Sequence, residues 1–288
     1  MTYLRRASPL HATRAAVASA WCVVLAMVAL SFDHPLVLAV LLAAVVAAGF
    51  AARVGRRVLL ALLFALPFAL VIGIVNPLVV REGLTVIARL GTVPVLGVVD
   101  VTAEATAYGG VLALRAMVII SCFALHSAAV DPDELLRAFR RISFRSALTA
   151  ALATRLVPVL ARDARRLHDA QRCLAGEAAP RWAIVRAVAS GALDRAVDVA
   201  ATLEVRGYGA ARRLPRGGAR PWSRHDLAFA VSAIALAAVA VAAHVAGTQG
   251  FDAYPSFTAP VGAGQLGLCA VLAACVLLPF ADRRGIEL

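Results

Sequence analysis

The chain has 288 residues, 61% of them hydrophobic and 16% charged, with a formal net charge of +12 and a mean hydropathy of +0.82. A soluble domain is about half apolar and about a quarter charged. Surface must still be covered with polar groups, so this composition excludes an ordinary soluble protein and makes lipid the natural solvent. All 29 basic residues are arginine, which excludes a Walker-type phosphate loop and Schiff-base chemistry, both of which need a lysine.

Eighteen arginines lie between Asp131 and His225, and most of the others (Arg5, Arg6, Arg14, Arg53, Arg56, Arg57, Arg283, Arg284) flank apolar runs. That is the orientation bias of a polytopic membrane protein. It accounts for the basic balance without a nucleic-acid partner, and none is expected. Four of the five cysteines (Cys22, Cys122, Cys269, Cys275) lie in apolar runs, Cys173 lies elsewhere, and no CxxC pair occurs. They read as small buried hydrophobes. The histidines (His11, His34, His126, His168, His225, His244) are scattered, so neither a metal site nor a cofactor is expected.

A span needs about 20 apolar residues to cross about 30 Å of hydrocarbon. The first is predicted at residues 15–30, after a basic stretch. Ser31-Phe32-Asp33-His34-Pro35 leads straight into a second at 36–52. No small-residue cleavage site stands out, so two spans with a tight turn fit better than a signal peptide. The third, 58–75, contains Pro67 and ends at Asn76-Pro77. Residues 80–108 are semi-polar, with Glu82, Asp100 and Glu104, and read as a non-cytoplasmic connection with amphipathic or re-entrant pieces. A fourth span follows at 109–128, and two more at 227–246 and 264–280.

Six spans starting inside place Arg53, Arg56, Arg57, the arginine-rich block and Arg283/Arg284 in the cytoplasm, with both termini. The outside then receives Asp33, Asp100, Glu104 and Asp252, with Arg81 and Arg89 as its only bases. Arg115 is the one obvious charge within a span. Such an arginine faces a bundle interior or snorkels toward an interface; an interior role is favoured. No Asp or Glu lies mid-span, which argues against a proton-coupled carrier.

The expected organisation is all-α and polytopic: an N-terminal membrane domain at 1–130 with four spans, a cytoplasmic domain at 131–225, and a C-terminal membrane hairpin at 226–288. The cytoplasmic block opens on Asp131-Pro132-Asp133-Glu134, an acid N-cap, proline at N1 and acids in the first turn. Leu148, Leu152, Leu156, Leu160, Ala164 and Leu167 then form a helical stripe, with Arg155, Arg162, Asp163, Arg166, Asp169 and Arg172 largely off it. Pro158 is expected to kink this helix. A second helix, about 182–206, has Val185, Val188, Ala189, Ala192, Ala196, Val199 and Leu203 on its apolar face. Arg186, Ser190, Asp194, Asp198, Thr202 and Arg206 form its polar stripe, and Gly207-Tyr208-Gly209 ends it. At 1.5 Å per residue each helix is about 36–45 Å long. Two such cationic helices read either as a solvated charged face with an apolar seam or as a lever that hands force to a soluble partner.

These residues resemble a known family. The run Asp131 to Arg140, the run Arg155-Leu156-Val157-Pro158-Val159-Leu160, Asp169-Ala170-Gln171-Arg172 and Leu203-Glu204-Val205-Arg206-Gly207-Tyr208-Gly209 are similar, in order and spacing, to motifs of the T components of energy-coupling-factor (ECF) transporters, the EcfT/CbiQ-like proteins. Leu112-Ala113-Leu114-Arg115 matches a fifth. The resemblance covers most of residues 8–213; the last two spans match only in kind.

It implies a non-catalytic coupling subunit in a bacterial cell membrane, with two ABC-type ATPase subunits and a small membrane-embedded substrate-binding S component as partners. The cargo would be a vitamin or a transition-metal ion. In such proteins two arginine motifs at the ends of the coupling helices dock in ATPase grooves. Here the second is intact, with Glu204, Arg206 and Gly207. The first departs from the pattern: Leu174 and Ala175 stand where arginine and glycine are expected, and Arg172 lies nearly one turn earlier. An ordinary ABC permease would couple through a single loop, which suits two long helices poorly. An intramembrane protease or phosphatase needs partnered ligands that His126 and His244 lack. A scaffold without transport would carry no ATPase partner.

Overall fold

In the computed structural model the described residues are 6–80, 85–93, 97–139, 144–173, 180–205, 207, 221–247 and 262–282. They form α1 (Pro9–Ala12), α2 (Ala15–Ser31), α3 (Pro35–Ala51), α4 (Gly55–Val79), the strands β1 (Val86–Val93) and β2 (Gly97–Thr102), α5 (Ala103–Ala129), α6 (Pro132–Phe139), α7 (Phe144–Cys173), α8 (Arg181–Val205), α9 (Arg224–Val245) and α10 (Ala263–Leu277), which a 3-10 turn extends to Phe280. The chain divides into two compact units, Met1–Leu135 with Trp222–Leu288, and Leu136–Pro221.

In the first unit α2 packs on α5 and α9, α3 on α5, α10 and α4, and α4 runs along α5. Four of these helices, Gly55–Val79, Ala103–Ala129, Arg224–Val245 and Ala263–Phe280, are long and apolar enough to cross a bilayer. The two others, α2 and α3, are equally apolar but have 17 residues each, about 26 Å of helix. Every backbone group of a helix is satisfied internally except at its ends, so the ends carry the sequence information. Pro35 opens α3 at its first position, with the His34 ring accepting from the Leu36 N–H at 3.2 Å. The α3–α4 turn is tight: Arg53 sits at φ 59°, and the Phe50 ring covers Gly55 so closely that a Cβ there would lie 2.5 Å from Cδ1.

The structure departs from the expected elements between the third and fourth spans. There α4 continues through Pro77 to Val79, and the Asn76 amide donates to the Ala105 carbonyl at 3.0 Å. Instead of amphipathic or re-entrant pieces, an antiparallel hairpin of β1 and β2 follows, with an irregular register. Its composition explains this, since Val86, Ile87, Thr92, Val93, Val98, Val99, Val101 and Thr102 are all β-branched. The hairpin hands over directly to α5. Thr102 caps that helix, and the buried Glu104 carboxylate accepts the Thr85 N–H at 3.2 and 3.3 Å.

Arg115, near the middle of α5, turns to the α2–α3 connection. Its guanidinium donates to the Phe32 carbonyl at 2.9 Å and pairs with the Asp33 carboxylate. The end of α2 therefore lies within one arginine side chain of mid-α5, and the first half of α5 extends past that turn beside α4.

The start of α9 is held by one carboxylate. Asp226, 1% exposed, accepts from the Ser223 N–H at 2.9 Å within its own capping box. It also accepts the Arg14 N–H at 2.7 Å, at the start of α2, and its other oxygen lies 3.4 Å from Arg14 Nε. The Arg14 guanidinium in turn covers the Trp222 ring at 5.2 Å. Deeper in, Trp21, Phe229 and Phe280 meet edge to face, with centroids 5.2 to 5.9 Å apart. The Trp21 indole donates to Ser232 at 2.9 Å, whose hydroxyl donates to the Cys275 carbonyl at 2.6 Å.

Removing one member of a buried, hydrogen-bonded ion pair costs about 3–5 kcal/mol. Asp226→Ala is expected to lower the thermal midpoint in detergent, read with a thiol-reactive dye on the buried Cys22 and Cys122. Asp33→Ala, whose carboxylate is half exposed, is expected to shift it far less.

Candidate functional site

The second unit is built from the end of α6, α7 and α8. A carboxylate starts α6: Asp131 accepts from the Asp133 N–H at 2.9 Å, ahead of Pro132. Continuous helix runs through Pro158 in α7. That residue has no N–H to give to the Thr154 carbonyl, while the Thr154 hydroxyl donates to Ala151 and Arg162 Nε donates to the Pro158 carbonyl.

Along α7 the half-buried residues run through Leu152, Leu156, Val159, Leu160, Asp163 and Ala164. Along α8 they run through Ile184, Val188, Ala192, Arg195, Val199 and Leu203. The two helices pack through these seams. The α7 stripe agrees with the apolar spacing in the sequence from Leu152 to Ala164, but Leu167 is exposed, and Asp163, expected off the stripe, stands in it. On α8 the agreement is partial: Val188, Ala192, Val199 and Leu203 face the seam, while Val185, Ala189 and Ala196 are exposed.

Charge explains the shift. Arg195 sits in the α8 seam and donates to Asp163, in the α7 seam, at 3.1 Å. A count of apolar residues alone skips an arginine and centres the stripe too far toward Val185. The three- and four-residue spacing from Ile184 to Leu203 passes through position 195 and is the signal that finds it.

The polar stripe of α8 lies as expected: Arg186, Ser190, Asp194, Asp198 and Thr202 are all exposed. Arg172 is exposed in the last turn of α7, next to the exposed Cys173. Glu204 is exposed in the last turn of α8. Arg206, the expected docking arginine, lies outside the described residues, as do Tyr208 and Gly209. Gly207 is described and ends α8 at φ 76°, its N–H bonded to the Glu204 carbonyl at 2.8 Å. Glycine takes this left-handed conformation without a Cβ clash. The structure thus joins Glu204 to Gly207, and it places Arg172 at the end of a different helix. Neither the Arg172 nor the Glu204 side chain bonds to another described residue.

The unit also leaves large apolar side chains open. On α8, Val185, Leu193 and Val197 are 68, 72 and 66% exposed, and Trp182 is open at the same end as Val185. Val157 and Val205 are likewise exposed. Among the described residues no cluster of three or more His, Cys, Asp or Glu side chains is placed to hold a metal ion.

No curated protein matches the chain. A family model described as CbiQ, cobalt transport protein, matches residues 6–216, from the segment before α1 to beyond the end of α8, and stops short of α9 and α10. On that match the chain belongs to the CbiQ cobalt transport protein family, as a multi-pass membrane protein that serves membrane transport.

Proposed function

We propose that this chain is the transmembrane coupling (T) subunit of an ECF-type importer. It passes ATP-driven motion from two ABC-type ATPase subunits to a small membrane-embedded S component. Six membrane spans are proposed, α2, α3, α4, α5, α9 and α10, with both termini and the block 131–225 in the cytoplasm of a bacterial cell. The family's description favours cobalt among the transition-metal ions and vitamins as cargo.

The observation that carries this reading is the surface of α8. Its polar stripe is solvated, yet Val185, Leu193 and Val197 are more than half exposed. Outside a membrane such residues mark an interaction surface. The unit's arginine excess, eighteen in 131–225 against nine acids, calls for acidic partners at the helix ends, where a guanidinium binds a carboxylate in bidentate fashion. An apolar partner for the face and an acidic one for the ends match an S component and an ATPase pair. Pro158, within α7, is assigned the bend that lets the two halves of that helix face different partners. Chemistry is left to the partners, since the chain has no lysine for nucleotide phosphates.

Affinity purification in mild detergent is expected to bring down two soluble ATPase chains and one small membrane protein; recovery of the chain alone would sink the proposal. Arg206→Glu is expected to abolish ATPase association with membrane insertion intact, because a reversed charge in a desolvated groove costs several kcal/mol. Arg172→Glu is expected to do less. A further test separates backbone from charge at the same end. Gly207→Val is expected to weaken ATPase association roughly ten-fold, through the 1–2 kcal/mol of left-handed strain. Gly207→Asn is expected to stay close to the parent, because asparagine tolerates that conformation.

A further inference from the structure

We infer that the Asp163–Arg195 pair is a pin: it fixes the register of α7 against α8 and leaves the angle between them free. This rests on the coupling-subunit reading for its purpose, though not for its geometry.

Both residues lie in otherwise apolar seams, and each is the seam's single charge among the residues from Leu152 to Ala164 and from Ile184 to Leu203. A sliding shift by one turn of either helix would set Arg195 against leucine or valine and strand Asp163, so opposite charges in facing seams select one register. The pair is only partly buried, at 40% and 31% side-chain exposure, so its strength is modest. Its value lies in specificity.

The contact also has the form of a joint. Arg195 donates through Nη2 at 3.1 Å, while its Nη1 is buried without a hydrogen-bond partner. A two-point guanidinium fork would fix the relative orientation of the helices, whereas a single N–H···O contact fixes position and permits rotation.

Position along the helices gives the pin its meaning. Arg172, in the last described turn of α7, lies nine residues beyond Asp163, and Arg206, the expected docking arginine, is eleven beyond Arg195 in the sequence. Each arm is about 15 Å long. Two like ATPase subunits related by a two-fold axis present equivalent grooves, and two arms of similar length from a common pivot can reach both. Rotation at the pin moves both ends together.

The test is a distance measurement between spin labels on Cys173 and on Val205→Cys, both exposed, with the half-buried Cys275 replaced. It is made on the complex with its ATPases, with and without magnesium-ATP. The parent is expected to give one narrow distribution that shifts with nucleotide. Asp163→Arg and Arg195→Asp are each expected to broaden it about two-fold and to shrink the shift, with ATPase co-purification retained; Asp163→Asn is expected to do the same more mildly. The exchange Asp163→Arg with Arg195→Asp is expected to restore both. Unchanged widths in the single variants, or an exchange that restores nothing they lost, would overturn the pin. Failure of the coupling-subunit reading shows separately, as a parent that retains no ATPase; the widths then still report whether the pair sets the register.

Discussion

One buried carboxylate orders the first unit. A helix N-terminus exposes N–H groups that lipid cannot satisfy, and α2 begins at Arg14 with no side-chain cap of its own. Asp226 supplies the missing acceptor from the far end of the sequence and at the same time closes the capping box of α9. Two helix dipoles point their positive ends at a single negative charge, and the Arg14 guanidinium neutralises what remains. The consequences run down α9 in helical steps. Phe229 is three residues beyond Asp226 and meets Trp21, seven residues beyond Arg14; Ser232 is three further on and takes the indole N–H. A polar lock, an aromatic plug and a second polar lock thus succeed one another along one interface, and each depends on the register set by the first. The lock also stands where the chain returns from the second unit, since Trp222, stacked under Arg14, begins the C-terminal part of the first.

How much of this was legible in the sequence depends on which force decided each element. The long apolar runs leave a chain in lipid no choice but helix, and the helices from Ala15 to Ser31, Pro35 to Ala51 and Arg224 to Val245 lie within a few residues of the expected runs. Asn76-Pro77 reads as a stop, yet α4 passes through it, because a neighbouring helix offers the Ala105 carbonyl to Asn76; a tertiary contact overrides a local rule. The hairpin was hidden for a different reason: Leu84 to Val99 is apolar enough to suggest a membrane piece, and only its β-branched content says strand. The Asp226 lock could not be read at all, since it joins residues 212 positions apart.

In the second unit the end of α8 and the apolar stripe of α7 were legible, and the charged pair between the helices was not. Gly207 announces its left-handed turn by being glycine after a helical run. Asp163 and Arg195 look like ordinary solvated charges, because a charge among many arginines carries no mark of its partner. Only the seam spacing on both helices, read with the charges included, brings them together.

The two units differ in what they leave unsatisfied, and that difference bears on function. In the first, Asp226, Glu104 and Thr102, buried at helix ends, have named donors, and the open surface is apolar, as lipid requires. In the second, even the seam residues are only half-buried, and valine and leucine stand open beside a solvated polar stripe. Helices of 25 and 30 residues that share so thin a seam gain little from each other, and packing, rather than propensity, supplies most helix stability in proteins. A first unit whose open surface suits lipid and a second whose apolar side chains stand open to a partner is the division that the proposed coupling role calls for.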